Sequence, residues 1–223
     1  MKQFFGMSRN GNLAEAVRGM DNPQFIMLFS NAAQFEEHVK SLEKMYPGVP
    51  SIGCIGMSYD TEIVENGVGI TAFSGGITAV ANTLEQVSVM PVKYIDRLKQ
   101  DVIKVNASAR DTVCIDFCSG NDACALTTMH TVLRGSGIQL MGGTGDQGKV
   151  SANGRIYPDS VAYALIRNEN GRVKTYKENI YHQLENYRFI ASNTDREKYI
   201  LGSLNGKPAK QVYQSILHVT DHE

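Results

Sequence analysis

The side chains best suited to chemistry lie on one short apolar segment in the second half of the chain. Cys114, Asp116 and Cys118 alternate within the run Val113–Cys118, so in a β-strand all three face the same side. A carboxylate in mid-strand needs a partner or a polar pocket, because removing it from water is costly. We therefore expect Asp116 to pair with the amine of a ligand, or with an internal arginine or backbone donor.

A polar, glycine-rich loop follows the next predicted strand. It runs Gly142-Gly-Thr-Gly-Asp-Gln-Gly148, directly after Ile138–Met141. Backbone N–H groups at strand ends are natural contacts for carboxylates and phosphates. The stretch from Gly143 to Lys149 approximates a phosphate-binding loop, but Val150 stands where magnesium coordination needs Ser or Thr. The loop therefore predicts a tight turn or a contact for a small ligand, and argues against a nucleoside triphosphate.

The four cysteines of the chain allow several interpretations. Cys54 is predicted to end a strand of the first half, and Cys124 to begin the helix after Cys118. Their spacing matches no compact zinc or iron–sulfur motif, and buried thiols are common in plain core packing. A thiol enzyme is a further alternative, in which a helix N-terminus lowers the pKa of Cys118. Without a secretory signal, we expect reduced thiols rather than a disulfide framework.

One histidine deserves comment as a possible ligand. His130 is predicted on the inward stripe of a helix, together with Leu126 and Leu133. A core histidine that donates to a backbone carbonyl is the simpler interpretation, and an axial haem ligand is the functional one. No C-x-x-C-H, G-x-S-x-G or H-E-x-x-H motif occurs. We therefore expect no enzymatic activity and no cofactor, with a haem- or metal-based gas or redox sensor as the alternative.

The elements that must position these residues occur twice along the chain. Each copy is predicted as strand, helix, strand and hairpin, at about residues 25–87 and 113–180. In the first copy, Val68–Ser74 and Ile77–Val87 are predicted to form a hairpin across Gly75-Gly76. The predicted fold is α/β, with two pseudo-repeated halves forming mixed sheets with packed helices. A ligand cleft would lie between the halves.

Composition argues against two classes of partner. The chain has 223 residues, 42% of them hydrophobic, and a net charge of −1, so it can bury a substantial core. It has no basic stripe for nucleic acid. No apolar stretch reaches the roughly 20 residues that span a bilayer, and the first residues lack the apolar core of a signal peptide. We expect a cytoplasmic protein with no nucleic-acid partner and no membrane span.

Short motifs along the chain, taken in order, resemble the FIST sensory domain family. The similar segments are Gly6-Met-Ser8, Ala14-Glu-Ala16, Phe25–Ser30, Cys118-Ser-Gly120, Ile138–Asp146, Asn153–Tyr157 and Ala164–Ile166. Leu204–Ala209 with Val212-Tyr213 resembles the start of the companion C-terminal FIST region. One departure follows Ile52-Gly-Cys54, where extra residues precede Glu62-Ile63 and a glycine of the family pattern is missing.

The resemblance implies a cytoplasmic sensory domain of a chemotaxis-like signalling protein, which binds a small molecule and acts on a downstream signalling domain or protein. An amino acid or carboxylate metabolite is the expected ligand. The expected domains are a FIST N-terminal-type domain over residues 1–188 and the start of a truncated FIST C-terminal-type region over residues 189–223.

We expect the ligand-binding residues to come mainly from the second half of the chain, with the first half as a wall. From the second half they are Asp116, Cys118, Ser119, Gly142, Gly143, Thr144 and Asp146, and from the first half Cys54 and Tyr59.

Overall fold

The structure is a computed structural model that describes residues 1–56, 58–59, 62–120, 122–176, 185–195 and 200–217. For residues 58, 59, 62, 63 and 91 it describes the backbone only. The chain divides into two compact units, Met1–Thr175 and Tyr176–Glu223. The residues predicted to bind a ligand all belong to the first unit.

The first half of this unit alternates strands and helices. Its elements are β1 (Lys2–Ser8), α1 (Leu13–Ala16), β2 (Phe25–Ser30), α2 (Phe35–Met45), β3 (Ser51–Ile55), β4 (Ser58–Tyr59), β5 (Glu62–Ile63) and β6 (Val68–Ser74). The Asn12 side chain caps α1 by accepting from the Glu15 N–H at 3.2 Å, which satisfies one of the free donors of the first turn. Phe35, Val39 and Leu42 are buried on one face of α2, as expected for an amphipathic helix on a sheet.

The second half of the unit repeats this order. Its elements are β7 (Ile77–Glu85), a 3₁₀ turn over Pro91–Tyr94, α3 (Ile95–Lys104), β8 (Thr112–Cys118), α4 (Asp122–Ser136), β9 (Gln139–Thr144), a 3₁₀ turn over Asp146–Gly148, β10 (Lys149–Ala152), β11 (Arg155–Pro158) and β12 (Ser160–Asn168).

Strand pairing confirms the predicted α/β fold with two pseudo-repeated halves. The first sheet has the order β1-β6-β2-β3-β10-β11, and the second has the order β7-β12-β8-β9. Both β1-β6-β2-β3 and β7-β12-β8-β9 contain two antiparallel pairs followed by one parallel pair. In each half the parallel strands are joined by a helix, which is the usual crossover for parallel neighbours.

The hairpin predicted across Gly75-Gly76 is wrong. β6 pairs with β1 and β2, whereas β7 pairs with β12. The two glycines, at φ of 73° and 79°, therefore carry the chain from one sheet to the other. Consequently the repeated topology starts at β1 and β7, one strand earlier in each half than the sequence indicated. The predicted end of the second copy, residue 180, lies outside the described residues.

The first unit packs in four layers, with the two sheets face to face and helices on the outside. The helices α1 and α2 cover the first sheet with Leu13, Ala16, Val39 and Leu42 against Ile26, Leu28 and Ile70. The sheets meet through Phe25, Met27, Ile52, Phe117, Ala162 and Ala164. The helices α3 and α4 cover the second sheet with Leu98, Met129 and Leu133 against Leu84, Tyr163 and Leu165. Since side chains alternate along a strand, Phe117 faces the other sheet and Asp116 faces the helices.

The edges of the two sheets differ. The hairpin strand β10, from the second half, continues the first sheet beyond β3, with Val150, Ser151 and Ala152 opposite Cys54, Gly53 and Ile52. The equivalent strand of the second sheet is β9. Within the described part of the chain, β9 pairs with β8 alone and forms the edge of its sheet.

The second unit is a small antiparallel sheet with one helix after it. It contains β13 (Ala191–Asp195), β14 (Ile200–Leu204), β15 (Lys207–Pro208) and α5 (Ala209–Leu217). The Asn205 side chain ties the turn after β14 to the chain before β13, because it accepts from the Ile190 N–H and donates to the Arg188 carbonyl. The boundary predicted at residue 188 and the truncated C-terminal-type region stay predictions. Among the described residues, no helix is long and apolar enough to cross a membrane.

Candidate functional site

The carboxyl ends of β8 and β9 bring four of the predicted site residues together. The two strands are parallel, and their register places Asp116 opposite Gly142 and Cys118 opposite Thr144. The helix α4 begins four residues after Cys118. In open α/β sheets the crevice outside the carboxyl ends of parallel strands is the usual place for a ligand. These four predicted residues therefore meet at a place in the fold where ligands commonly bind.

Asp116 is buried with one carboxylate oxygen unsatisfied. The side chain is 1% exposed, and its Oδ2 accepts a hydrogen bond from the Cys118 thiol at 3.3 Å. Its Oδ1 has no hydrogen-bond partner among the described residues. Since buried polar atoms are nearly always paired, this oxygen needs a donor that the described part of the chain does not supply.

The nearest candidate donor is engaged elsewhere. Tyr163 lies opposite Asp116 on β12, but its hydroxyl donates to Asp101 Oδ2 at 2.6 Å. Asn82 donates to the same Asp101 oxygen at 3.1 Å. The network around Asp101 is therefore complete within itself, and the internal partner that the sequence allowed for Asp116 is not found among the described residues.

The electrostatic surroundings weaken the ionised form of Asp116. Burial raises the pKa of Asp116 to about 6, against the lowering effect of the Cys118 hydrogen bond and with a further increase from the negative charge of Asp122. A carboxyl group in this state gains from a nearby positive charge or hydrogen-bond donor, because either one stabilises the ionised form.

Gly142 packs directly against Asp116. A Cβ at this position would collide with the backbone oxygen and Oδ1 of Asp116. Gly142 itself is exposed, so the buried, unsatisfied oxygen lies directly beneath the surface of an edge strand. Any side chain larger than that of glycine would require Asp116 or the strand to shift.

Two further polar side chains lie at the strand end beside Asp116 and Gly142. Thr144 Oγ1 donates to Asp122 Oδ2 at 3.2 Å, and Asp122 Oδ1 accepts from the Ala123 N–H at 2.9 Å. Both Thr144 and Asp122 are exposed. With carboxylates at both Asp116 and Asp122, this strand end favours a cationic or donor group over an anion.

The Cys118 thiol is not activated by its surroundings. Burial, the charge of Asp116 and the hydrogen bond to that carboxylate all raise the pKa of Cys118. This disagrees with the thiol-enzyme alternative, which required a lowered pKa at a helix N-terminus. Burial is the largest cause and the neighbouring carboxylate adds to it, so Cys118 serves as a hydrogen-bond donor to Asp116.

The remaining predicted residues of the second half have structural contacts. Ser119 pairs with Ser160, because its N–H donates to the Ser160 carbonyl at 2.9 Å and its Oγ accepts from the Ser160 N–H at 2.7 Å. Gly143 is exposed, with open space where a Cβ would stand. Asp146 is exposed and accepts from the Gln147 N–H at 2.8 Å, which shapes the loop.

The predicted residues of the first half are placed differently from expectation. Cys54 faces the space between the sheets, on the opposite side of the second sheet from Cys118 and Asp116, and burial raises its pKa to about 12. Gly145 joins the two strand ends, since its N–H donates to the Cys118 carbonyl at 2.8 Å and a Cβ on it would lie 2.8 Å from Cys54 Cβ. The side chain of Tyr59 lies outside the described residues.

The expected inward position of His130 is wrong. The side chain is exposed, and the buried face of α4 carries Ala125, Met129 and Leu133 instead. In the part of the chain that the structure describes, no group of three or more His, Cys, Asp or Glu side chains is placed to hold a metal ion.

A second polar cluster, which sequence analysis missed, occupies the equivalent place in the first half. Ser30 ends β2 as Cys118 ends β8. Its Oγ lies 2.7 Å from His38 Nδ1, and His38 Nε2 lies 2.8 Å from the Gly11 carbonyl. Since a carbonyl only accepts, Nε2 carries a proton. The Ser30 hydroxyl also lies 2.9 Å from the Asn31 carbonyl, so its single proton is shared between that oxygen and Nδ1 of a neutral ring. Burial lowers the pKa of His38, which favours this neutral ring.

The Ser30–His38 pair is closed to substrates. Ser30 is fully buried and His38 is 3% exposed, and the Gly11 loop lies over them. The signal available in the sequence was the position of His38, three residues after Phe35 and four before Leu42, both buried on α2. That spacing puts a histidine at the border of the buried face.

Comparison with known proteins identifies one family. The FIST N domain family matches residues 24–207. No curated protein matches the chain. Among solved structures, the chain is similar to a cyanuric acid hydrolase from A. caulinodans, with 13% identity over 75% of this chain and 71% of that chain and a TM-score of 0.36. A similarity this low supports no inference about activity or substrate.

Proposed function

We propose that this chain, which belongs to the FIST N domain family of sensory domains in signalling proteins, binds a small molecule at the carboxyl ends of β8 and β9. The single observation that carries the proposal is the buried Asp116 oxygen that lacks a donor. Binding would be signalled to a downstream domain or protein in a cytoplasmic, chemotaxis-like system.

The chemistry of this strand end favours a ligand with an ammonium or other N–H donor. Such a group, placed over Gly142, supplies the missing hydrogen bond to Asp116 Oδ1. Its positive charge also stabilises the ionised carboxylate against burial and against Asp122. An amino acid or a related amine metabolite has this group.

The remainder of the ligand would lie along the exposed end of β9. The Thr144 oxygen, which donates its own proton to Asp122, can still accept from a second donor group of the ligand, and the backbone at the exposed Gly143 lies beside it. Gly145 lies between Cys54 and the end of β8, so the first half forms the wall of this side. The proposed site thus uses Asp116, Gly142, Gly143 and Thr144 for contact, and Cys118 to hold Asp116.

Contacts of the loop after β9 offer a route for the signal. Gly145 bonds to the end of β8, and the Cβ position of Gly148 lies 3.5 Å from the Ser119 carbonyl. A ligand that orders Thr144 would therefore affect the loop that spans the ends of both sheets. A switch between two conformations would then pass this change to the downstream domain or protein.

No specific observation favours the alternatives. His130 is exposed and Cys54 faces a different layer from Cys114 and Cys118, so nothing in the described residues points to haem or a metal. The raised pKa of Cys118 likewise gives no support to a thiol enzyme.

Thermal-shift and calorimetric titration with amino acids, simple amines and the matching carboxylic acids without the amine test the proposal. We expect amine-bearing compounds alone to raise the melting temperature. Asp116→Asn should abolish the effect, whereas Asp146→Asn, which alters an exposed carboxylate of the neighbouring loop, should leave it unchanged. Equal binding by wild type and a folded Asp116→Asn variant, or no binding across the panel, would overturn the proposal.

A further inference from the structure

The outer edge of β9, the side that does not pair with β8, is open among the described residues. Gln139–Thr144 contains no charged residue, and Met141 is 47% exposed. Natural sheets protect such edges with charges, proline, bulges or a covering element, because an open edge pairs readily with another strand. This edge lacks charges and proline, and no described residue pairs with its outer side.

The first half shows what fits at an edge of this kind. There β10 pairs antiparallel with β3, with Ser151 opposite Gly53. The three paired residues of β10 are small and buried, namely Val150, Ser151 and Ala152. The Ser151 Oγ lies 2.7 Å from the place where a Cβ on Gly53 would stand, so this hydroxyl lies over the glycine.

The two edges are equivalent in detail. Gly53 lies opposite Leu28 as Gly142 lies opposite Asp116. The chain also leaves both strand pairs in the same way, since the Gly56 N–H donates to the Ser30 carbonyl at 3.0 Å as Gly145 donates to Cys118. A strand placed on β9 as β10 lies on β3 would therefore pair with residues 141–143 and set its central side chain over Gly142.

We propose that β9 is a strand-addition site for an extended segment of a partner protein, with small side chains and a Ser or Thr opposite Gly142. The backbone of the segment completes the second sheet by antiparallel pairing. Its hydroxyl takes the position over Gly142 that Ser151 takes over Gly53, and donates to Asp116 Oδ1.

Among the described residues, the hairpin β4–β5 of the first half does not pair with the outer edge of β9. Within the described residues, β4 and β5 pair only with each other. The first half therefore receives a strand from the second and, in the described residues, returns none, which is why the occupant is sought on another protein. The strand-addition site is argued from the geometry of the β9 edge alone, and its test needs no small ligand.

If the proposed function also holds, an amine ligand and the added strand compete for Asp116.

A peptide of residues 148–158 is a suitable probe, because it carries the strand that fills the equivalent site on β3. Added to the intact chain without small ligands, it should shift NMR signals and slow amide exchange at residues 140–144. A peptide with Ser151→Ala should bind about tenfold more weakly, since it leaves Asp116 Oδ1 unsatisfied.

Matched variants of the protein locate the binding site. Met141→Lys places a charge within the paired stretch and should abolish peptide binding. Gln139→Lys places the same charge on the same side of the strand, two residues outside that stretch, and should leave binding intact. Both positions are exposed, so both variants are expected to fold.

Several outcomes would overturn the inference. One is the absence of any shift at millimolar peptide, and another is equal binding by the Met141→Lys and Gln139→Lys variants. Protection of the amides of residues 141–143 in a peptide-free monomer would mean that the chain's own residues cover the edge. The same protection in a dimer, detected by sedimentation, would make a second copy the occupant.

Discussion

The ends of β2 and β8 share one backbone arrangement but differ in their chemistry. At the first, Leu28 faces the helices and the Ser30–His38–Gly11 chain of hydrogen bonds is closed and buried. At the second, Asp116 takes the place of Leu28 and keeps an unsatisfied oxygen beneath an exposed glycine.

The two halves surround the same glycine position with different side chains. Both halves place a glycine on the second parallel strand, where a Cβ would strike the residue opposite it. In the first half β10 covers that glycine, and in the second half the glycine is open. The same steric requirement thus accompanies core packing in one half and a buried, unsatisfied carboxylate oxygen in the other.

The largest expected effect is that of Gly142→Ala. The added Cβ collides with the Asp116 backbone, so the strands must shift, and we expect a loss of about 2–4 kcal/mol in the free energy of unfolding. Gly143→Ala is the control, because open space surrounds its Cβ position, and it should change this free energy by less than about 0.5 kcal/mol. Urea unfolding compares the two, and equal losses would contradict the collision at Gly142.

His38→Ala tests the closed cluster of the first half. It removes the donor to the buried Gly11 carbonyl and leaves Ser30 with its contact to the Asn31 carbonyl, and we expect it to lower the free energy of unfolding by about 2–3 kcal/mol. His130→Ala, at an exposed position, should be nearly neutral. If both substitutions were equally mild, the His38 contacts would not be made in solution.

The pH dependence of the His38 contribution has a defined sign. Burial lowers the pKa of His38 below the ordinary histidine value of 6.5, so its stabilising contribution is complete above pH 6.5 and declines as the pH falls below it. The difference between wild type and His38→Ala, followed by urea unfolding, should therefore shrink on acidification. A difference that grows as the pH falls would contradict a neutral, buried His38.

Asp116→Asn tests the carboxylate near the end of β8. The pH dependence of its effect on the free energy of unfolding has the opposite sign to that of His38→Ala. The folded-state pKa of about 6 lies above the ordinary aspartate value of 3.8, so ionisation of Asp116 destabilises the fold as the pH rises from about 4 to 6. We expect the Asn variant to gain up to about 3 kcal/mol relative to wild type over this window and to keep this gain at higher pH. Asp146→Asn should show no such dependence, and a flat profile for both variants would argue that Asp116 is already satisfied.

Cys118→Ser makes the end of β8 resemble that of β2 and has the smallest expected effect. A hydroxyl is a stronger donor to Asp116 Oδ2 than a thiol, so the pKa of Asp116 should fall slightly, with a change of less than about 1 kcal/mol in the free energy of unfolding. A titration of Asp116 in the two proteins measures the shift, and a higher pKa in the Ser variant would contradict the hydrogen bond.

Part of the fold could be predicted because its signals are local. Periodicity of the apolar residues predicts the strands at 25–30 and 113–118 and the helices that follow them. Glycines after each helix predict where the helix ends. The partner of the strand after Gly75-Gly76 could not be predicted, since two glycines suit both a hairpin and a passage to another sheet. Which one occurs depends on contacts with β12, more than 70 residues away in the chain.

The site was partly predictable for a similar reason. Asp116 was recognisable because a carboxylate in an apolar strand is costly, and its closeness to Gly142 and Thr144 follows from two parallel strands. The buried face of α4 was predicted in part, since Leu133 is buried as expected. Leu126 and His130 were misplaced, because Ala125 is as apolar a choice as Leu126 and no local pattern decides between them. The layer that Cys54 faces depends on how the two sheets pack against each other.

The most direct test of the account is the titration of the Asp116 carboxyl group in the ligand-free chain, followed by carbon NMR with Asp116→Asn to assign the signal. An Asp116 that lacks a donor at Oδ1 is predicted to titrate near pH 6 and to move to lower pH on addition of an amine from the binding panel. Titration near pH 4 in the free protein would show that Oδ1 already has a partner, and the ligand site proposed for the second half would then be contradicted.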